Sequence, residues 1–209
     1  LIFLLCFKNL PAQEFRLEKI FEGLDHPWSL SFIDNTSIIL TEKKGNLFIL
    51  DLKKNKLKKI NHNLNILQDG QGGLLDVLYN DKYIYVSYSE NRGKKDSSTS
   101  VARGKFNKKK IDFKNIFRAE PSINSGYHFG SRIVIRDNHI FITAGERGKG
   151  MIAQNPTKHP GSIIRINLDG SIPNNNPKFK DNPDWLPEIF QIGLRNPQGM
   201  TLSAFDNKI

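Results

Sequence analysis

The sequence predicts an all-β protein, and in particular part of a β-propeller. Sixteen glycines and ten prolines among 209 residues favour a chain with many turns. From residue 28 onward, short apolar runs alternate with turn residues, and no long stretch has a helical period. A unit of apolar strand, Asp or Asn turn and apolar strand recurs at intervals of roughly 45–60 residues, which is typical of four-stranded propeller blades with loop insertions.

Each predicted blade opens with two strands joined by a short polar turn. The first blade is predicted from strands at 28–33, 38–42 and 47–50, the second from 74–79, 83–88, 100–106 and 111–113, and the third from 132–135, 140–144, 161–167 and 188–192. A strand at 198–202 is predicted to begin a fourth unit. Three blades cannot close a propeller ring, so residues 13–209 are predicted to be the N-terminal part of a longer propeller domain. A small β-sandwich is the alternative fold.

The first residues have the pattern of a secretory signal. Residues 1–7 are apolar and are followed by Leu10-Pro11-Ala12, so we interpret 1–12 as a signal peptide whose charged start is missing. The run is too short to cross a membrane, and no transmembrane segment is expected in the mature chain. A buried N-terminal strand and a lipid anchor at Cys6 are the alternatives. This interpretation predicts a periplasmic or secreted protein.

The charge of the chain is strongly positive. Lysines and arginines number 31 against 21 acidic residues, which gives a formal net charge of +10. Lysines cluster at 53–59 and 108–110, between strand-like runs and without interleaved aromatic residues. This pattern indicates solvated hairpin tips and not a nucleic-acid partner. A loose affinity for an anionic surface is the remaining alternative.

Glycine-rich turns precede three of the predicted first strands. They lie at 69–76, 126–132 and 193–199. In a propeller the first strand of each blade lines the central channel, so equivalent positions in successive blades converge on one axis. The three turns are therefore predicted to form one site on one face.

The polar residues on these turns have compatible chemistry. His128 can accept a proton near neutral pH, and Arg195 can stabilise negative charge. The amides of Gln71 and Asn196 can orient polar ligands. Glu146 follows on the adjacent strand, where it either orients His128 or is solvated. The set suits removal of a hydroxyl proton while negative charge develops on an acceptor. The alternative for His128 is a structural role beside its aromatic neighbours.

Several stretches resemble one known family. They are 23–30, 70–77, 85–89, 128–132, 161–177 and, most specifically, Arg195-Asn196-Pro197-Gln198-Gly199-Met200. They resemble the soluble quinoprotein sugar dehydrogenases of the glucose/sorbosone dehydrogenase family, and within it the bacterial periplasmic aldose sugar dehydrogenases. The resemblance implies a six-bladed propeller that binds pyrroloquinoline quinone (PQQ) at its central face, with residues 13–209 as the N-terminal part of that dehydrogenase domain.

The resemblance also implies a role for each predicted site residue. His128 matches the general base that takes the proton from the anomeric hydroxyl of an aldose, which becomes the lactone as hydride passes to the quinone. Arg195 and Asn196 match the residues that contact the quinone, with Arg195 near its reactive carbonyl, and Gln71 matches a glutamine at its edge. Glu146 stands where another branch of the family has an aspartate that supports the histidine. A separate electron acceptor is implied.

Calcium is a further expectation from the resemblance. The family's calcium ligands lie in later blades, so no metal residues are assigned in this chain.

Two other functions stay open. One is a non-catalytic binding propeller. Absence of both His128 and Arg195 would favour it, but this chain has both. A propeller lactonase would need carboxylates around a metal in the channel, and only Asp69 and Asp76 lie near a motif.

Overall fold

The computed structural model of the chain describes residues 15–178 and 182–209, which form an almost entirely β structure. Thirteen strands and a single 3-10 helix, Gly150–Gln154, are found among these residues. The all-β prediction is therefore confirmed. The predicted signal segment 1–12 and Cys6 lie outside the described residues.

The first sheet is an antiparallel meander in chain order. Its strands are β1 (Pro27–Asp34), β2 (Ser37–Glu42), β3 (Asn46–Asp51) and β4 (Lys56–His62). The turn between β1 and β2 is closed by Asp34, whose carboxylate accepts hydrogen bonds from the backbone N–H and the hydroxyl of Thr36, each 2.8 Å long. Asp and Asn favour turns because their side chains can bond the backbone two residues further on.

The second sheet corrects one strand assignment. Its strands are β5 (Leu74–Asn80), β6 (Tyr83–Gly93) and β7 (Asp96–Lys105), and its outer strand is β9 (Lys114–Arg118) instead of the predicted 111–113. The short strand β8 (Lys110–Ile111) precedes β9 and pairs in parallel with the end of β4 in the first sheet. The reason is Asn63, whose side chain accepts from the Phe113 N–H at 2.8 Å and donates to the Phe113 carbonyl at 3.1 Å.

The third sheet is again antiparallel and four-stranded. It consists of β10 (Gly130–Arg136), β11 (His139–Ala144), β12 (Ser162–Asn167) and β13 (Ile189–Gln191). The predicted strand at 198–202 is wrong, because no strand is formed there. Side chains of the third sheet bond this part of the chain instead. Arg132 Nε donates to the Gln198 carbonyl at 2.6 Å, and the Thr143 hydroxyl donates to the Pro197 carbonyl at 2.8 Å.

The three sheets stack face to face, with the second sheet in the middle. Successive residues of a strand point to opposite faces. Ile84 of β6 accordingly packs in the core shared with the first sheet, while Tyr85 packs in the core shared with the third. Stacked four-stranded antiparallel sheets that bury both faces of the central sheet are the architecture of a β-propeller, and this chain forms three blades of one.

One carboxylate joins the innermost strands of all three blades. Asp76 of β5 is buried and accepts a hydrogen bond from the Ser29 hydroxyl of β1 at 2.5 Å. It also accepts from the backbone N–H of Ile133 in β10 at 2.8 Å, and Arg132 lies 3.4 Å away. The inner strands β1, β5 and β10 therefore lie next to one another, with β5 in the middle.

The lysine clusters lie on the outer edge of the first blade. The lysines of 53–59 and 108–110 are exposed, as predicted. However, Lys56, Lys58 and Lys59 belong to the outer strand β4 and not to a hairpin tip. Charged side chains on an outer strand oppose edge-to-edge pairing with other chains.

Candidate active site

The structure brings the three glycine-rich turns together at one end of the inner strands. The Gln71 N–H donates to the Gly126 carbonyl at 2.7 Å, and the Gln71 side-chain oxygen accepts from the His128 N–H at 2.9 Å. From the third turn, the Asn196 side-chain oxygen accepts from the Gly130 N–H at 3.1 Å. The turn that carries His128 is thus held from both sides by the amides of the other two.

Glycine is required at two positions for this close approach. Gly70 has a φ of +52°, and a Cβ there would lie 2.5 Å from the Gly126 carbonyl oxygen. A Cβ on Gly145 would lie 2.1 Å from the carbonyl oxygen of His128. Side chains at these positions would therefore push the turns apart.

His128 is fixed in a single ring orientation. Its φ is +51°, its side chain is 12% exposed, and its Nδ1 is hydrogen-bonded to Oε1 of Glu146. A neutral imidazole that donates through Nδ1–H has an unprotonated Nε2 that can accept a proton. Within the part of the chain that the structure describes, no group bonds this Nε2.

Glu146 is itself held in place. It is 3% exposed, so the solvated alternative is wrong. Its Oε2 accepts from the Gly150 N–H at 2.5 Å, and its own N–H donates to the Arg195 carbonyl at 2.9 Å. Burial opposes ionisation of this carboxyl, but the hydrogen bonds from His128 and Gly150 outweigh it and lower the pKa of Glu146. Glu146 is therefore a carboxylate at neutral pH, placed to stabilise a protonated His128.

Three further polar side chains of the turns can act as donors. Arg195 is exposed, and its guanidinium makes no hydrogen bond or ion pair with any described residue. Gln71 and Asn196 each use the side-chain oxygen to hold the His128 turn, which leaves their NH₂ groups to donate. A cluster of donors beside an imidazole acceptor can bind an anionic or carbonyl-bearing ligand and remove a proton from a hydroxyl group next to it.

Two residues that bond these turns are absent from the sequence prediction. Lys43 Nζ donates to the Gly70 carbonyl at 2.6 Å. Arg147 is buried beneath the His128 turn, where its Nε donates to the Tyr127 carbonyl at 3.0 Å. Arg147 adjoins Glu146, but a turn sequence does not show which side chain points inward. Lys43 lies between β2 and β3, in the one described blade for which the sequence predicted no site residue.

Neither a metal-binding cluster nor a membrane-spanning helix is found in residues 15–178 and 182–209. They contain no cluster of three or more His, Cys, Asp or Glu side chains that could hold a metal ion. They also contain no helix of sufficient length and apolar character to cross a membrane.

Comparisons with known proteins give consistent matches. The sequence model of the family described as Glucose / Sorbosone dehydrogenase matches residues 24–209. The aldose sugar dehydrogenase YliI of Escherichia coli K12 is 33% identical over 203 residues, which cover 92% of this chain and 54% of that protein. Quinoprotein glucose dehydrogenase B of Acinetobacter calcoaceticus is 28% identical over 236 residues, covering 94% of this chain and 48% of that protein.

A solved structure matches at the level of the fold as well. The crystal structure of the soluble aldose sugar dehydrogenase of Escherichia coli in its apo-form has a TM-score of 0.84 to this chain at 33% identity, over 91% of this chain and 57% of that one. The chain spans about half the length of the curated relatives it matches.

Proposed function

The chain belongs to the glucose/sorbosone dehydrogenase family, and on that basis we propose that it supplies the base and the quinone-contacting residues of a PQQ-dependent aldose sugar dehydrogenase. The reaction is oxidation of an aldose at its anomeric hydroxyl to the lactone. The observation that carries the proposal is the His128–Glu146 pair, which is bonded to the turns that carry Gln71, Arg195 and Asn196. Because the chain spans about half of its relatives, the activity is assigned to the whole protein.

The donor set fits the proposed cofactor. PQQ is an anionic ortho-quinone with carboxylate groups, and its oxygens are hydrogen-bond acceptors. Arg195 provides a charged fork, and the amide NH₂ groups of Gln71 and Asn196 provide neutral donors. The side-chain oxygens of Gln71 and Asn196 already accept hydrogen bonds from the His128 turn, so the NH₂ group of each amide is available to donate. When bound, PQQ supplies the two-electron acceptor for the hydride that leaves the anomeric carbon.

His128 removes the proton. Its Nε2 takes the proton of the anomeric hydroxyl while the C–H bond of the same carbon breaks, so the sugar loses a proton and a hydride and gains a carbonyl. Glu146 accepts the Nδ1–H bond throughout and stabilises the imidazolium that forms. Arg195 stabilises the negative charge that develops on the acceptor.

The proposed sugar oxidation also needs a metal ion and an electron acceptor. We place calcium with the cofactor, as the family resemblance implies, and assign it no ligand in this chain. A separate electron acceptor reoxidises the cofactor. The signal-like residues 1–12 support a periplasmic or secreted location.

The alternatives have less support. Asp76, which a propeller lactonase could have used for a metal, has both oxygens engaged by β1 and β10. A binding module would have no need for a buried carboxylate behind a histidine whose Nε2 is free to accept a proton.

The proposal is tested with the full-length protein, PQQ and calcium. Sugar-dependent bleaching of the quinone absorbance in a single turnover, with an aldonolactone as product, is the expected result. A protein that binds PQQ but reduces it with none of a panel of aldoses would refute the proposed activity.

A further inference from the structure

Arg147 is a buried cation that binds the backbone of the His128 turn. It is 2% exposed. Its Nε donates to the Tyr127 carbonyl at 3.0 Å, and its Nη2 donates to the carbonyl of Ser125. Its guanidinium carbon lies 3.8 Å from the centre of the Phe129 ring. One side chain thus contacts three residues of the segment 125–129.

The same guanidinium connects this segment to the second blade. Nη1 donates to the Ser97 carbonyl at 2.7 Å, and Nη2 donates to the Ser97 hydroxyl at 2.9 Å. Ser97 lies in β7 and also pairs with Ile123 through two backbone hydrogen bonds of 3.0 and 3.1 Å. The turn is therefore fastened to a strand of a rigid sheet through the arginine.

The backbone of Arg147 also contacts the turn that carries His128. The Arg147 N–H donates to the carbonyl of His128 at 3.3 Å, and the neighbouring Glu146 carboxylate bonds the His128 ring. Glu146 and Arg147 are consecutive, so one residue orients the imidazole while the next holds the backbone that carries it. Arg147 itself has a φ of +58°, an uncommon conformation for a residue with a side chain.

A buried arginine without a carboxylate partner is energetically costly. Arg147 forms no ion pair with the described acidic residues, and its acceptors are carbonyls and one hydroxyl. Burial lowers its pKa to about 10, against the weaker opposing effect of Asp69 and Asp96. Its charge is instead compensated by hydrogen bonds to the carbonyls of Ser125, Tyr127 and Ser97, which would lose their donor in an apolar variant. The guanidinium and the segment 125–129 therefore hold each other in place.

We propose that Arg147 is a positioning residue that fixes the segment 125–129 so that His128 keeps its Nδ1 against Glu146 and its Nε2 free. The planar guanidinium suits this task because its N–H groups point in several fixed directions, toward Tyr127, Ser125 and Ser97 at once. A lysine has a single ammonium on a flexible stem and cannot reproduce that fork. The consequence for catalysis rests on the proposed function, whereas the consequence for the ring of His128 does not.

The test compares Arg147→Met and Arg147→Lys with the wild type in the full-length protein. The matched control is Arg103→Met. Arg103 lies in β7, the strand that contains Ser97, and it bonds the Leu168 carbonyl at 2.8 Å and stacks on Tyr83 at 4.7 Å. The first readout is the ¹⁵N spectrum of the His128 imidazole without cofactor, which reports the tautomer. The second is kcat, KM for the sugar and Kd for PQQ.

We expect the wild type and Arg103→Met to show one tautomer, with the proton on Nδ1. Both Arg147 variants should show mixed tautomers and a kcat lowered about 10- to 100-fold, since small displacements of a catalytic group cost rate in this range. KM and Kd should change less than about threefold, because those constants depend mainly on other donors.

The outcomes separate this proposal from the proposed function. If a folded Arg147 variant keeps the wild-type tautomer of His128, Arg147 is not a positioning residue. If Arg147→Met does not fold, the tautomer of Arg147→Lys decides the question. If neither folds while Arg103→Met does, the arginine acts in folding alone and the proposal is also wrong. If the wild type oxidises no sugar, the proposed function fails, but the tautomer comparison still decides the role of Arg147.

Discussion

Replacement of Glu146 by glutamine isolates the contribution of its charge to catalysis. The carboxylate is buried and accepts from His128 Nδ1 and from the Gly150 N–H at 2.5 Å. Glutamine has nearly the same volume, and its oxygen can still accept one of these bonds. What it cannot supply is the negative charge that, in the proposed mechanism, stabilises His128 after proton transfer.

The expected loss follows from that missing charge. A hydrogen bond to a charged group contributes about 1.5–3 kcal/mol. The attraction between Glu146 and a protonated His128 develops only as the proton is taken, so its loss raises the barrier. Since about 1.4 kcal/mol corresponds to a tenfold change in rate, kcat should fall about 10- to 100-fold. The affinity for PQQ should change little, because Arg195, Asn196 and Gln71 keep their donors.

The assay is single-turnover reduction of PQQ at saturating sugar, with PQQ affinity titrated separately. The control is Glu90→Gln, which removes another buried carboxylate, bonded to Arg118 Nε at 2.8 Å and to the Ser100 hydroxyl at 2.7 Å. It should lower the melting temperature but leave kcat within about twofold. If Glu146→Gln reduced PQQ at the wild-type rate, the carboxylate would have no part in the proton transfer.

Three further predictions concern the base, the turn and the acid limit of stability. His128→Ala should lower single-turnover PQQ reduction by about 10²–10⁴-fold with PQQ affinity largely intact, and an unchanged rate would show that another group is the base. Gly145→Ala places a Cβ 2.1 Å from the His128 carbonyl, so it should lower both the melting temperature and kcat, and a variant with wild-type values would contradict the close packing. The hydrogen bond from His159 lowers the pKa of Glu188 in the folded protein, against the opposing effect of burial. The ionised Glu188 therefore stabilises the fold above its ordinary pKa of 4.5, and this stabilisation is lost as the pH falls through the lower pKa of the folded state. Glu188→Gln should therefore flatten the acid limb of the free energy of unfolding, measured by denaturant titration at several pH values.

The sequence predicted those features that depend on local pattern. The alternation of apolar residues located most strands, and the three glycine-rich turns located Gln71, His128 and Arg195-Asn196. The predictions failed where distant residues decide the structure. The segment 111–113 follows β7 in the chain, but Asn63, fifty residues before Phe113, holds it to the first sheet.

The same reason limits what the sequence shows of the site. Hairpin geometry suggested that Glu146 could reach His128. No pattern indicates that Asn196 uses its oxygen on the Gly130 N–H, or that Arg147 points inward. These are choices of side-chain direction, and they depend on tertiary neighbours that are far away in sequence.

The carboxylate of Asp76 has a consequence for how the blades unfold. An array of stacked repeats gains stability from each unit and from each interface between neighbours, and weak interfaces allow the units to open one at a time. Asp76 bonds the inner strands of both neighbouring blades, so separation of either interface leaves a buried charge with fewer partners. The two interfaces are thereby energetically coupled, which favours a single cooperative transition of the three blades over stepwise fraying from one end.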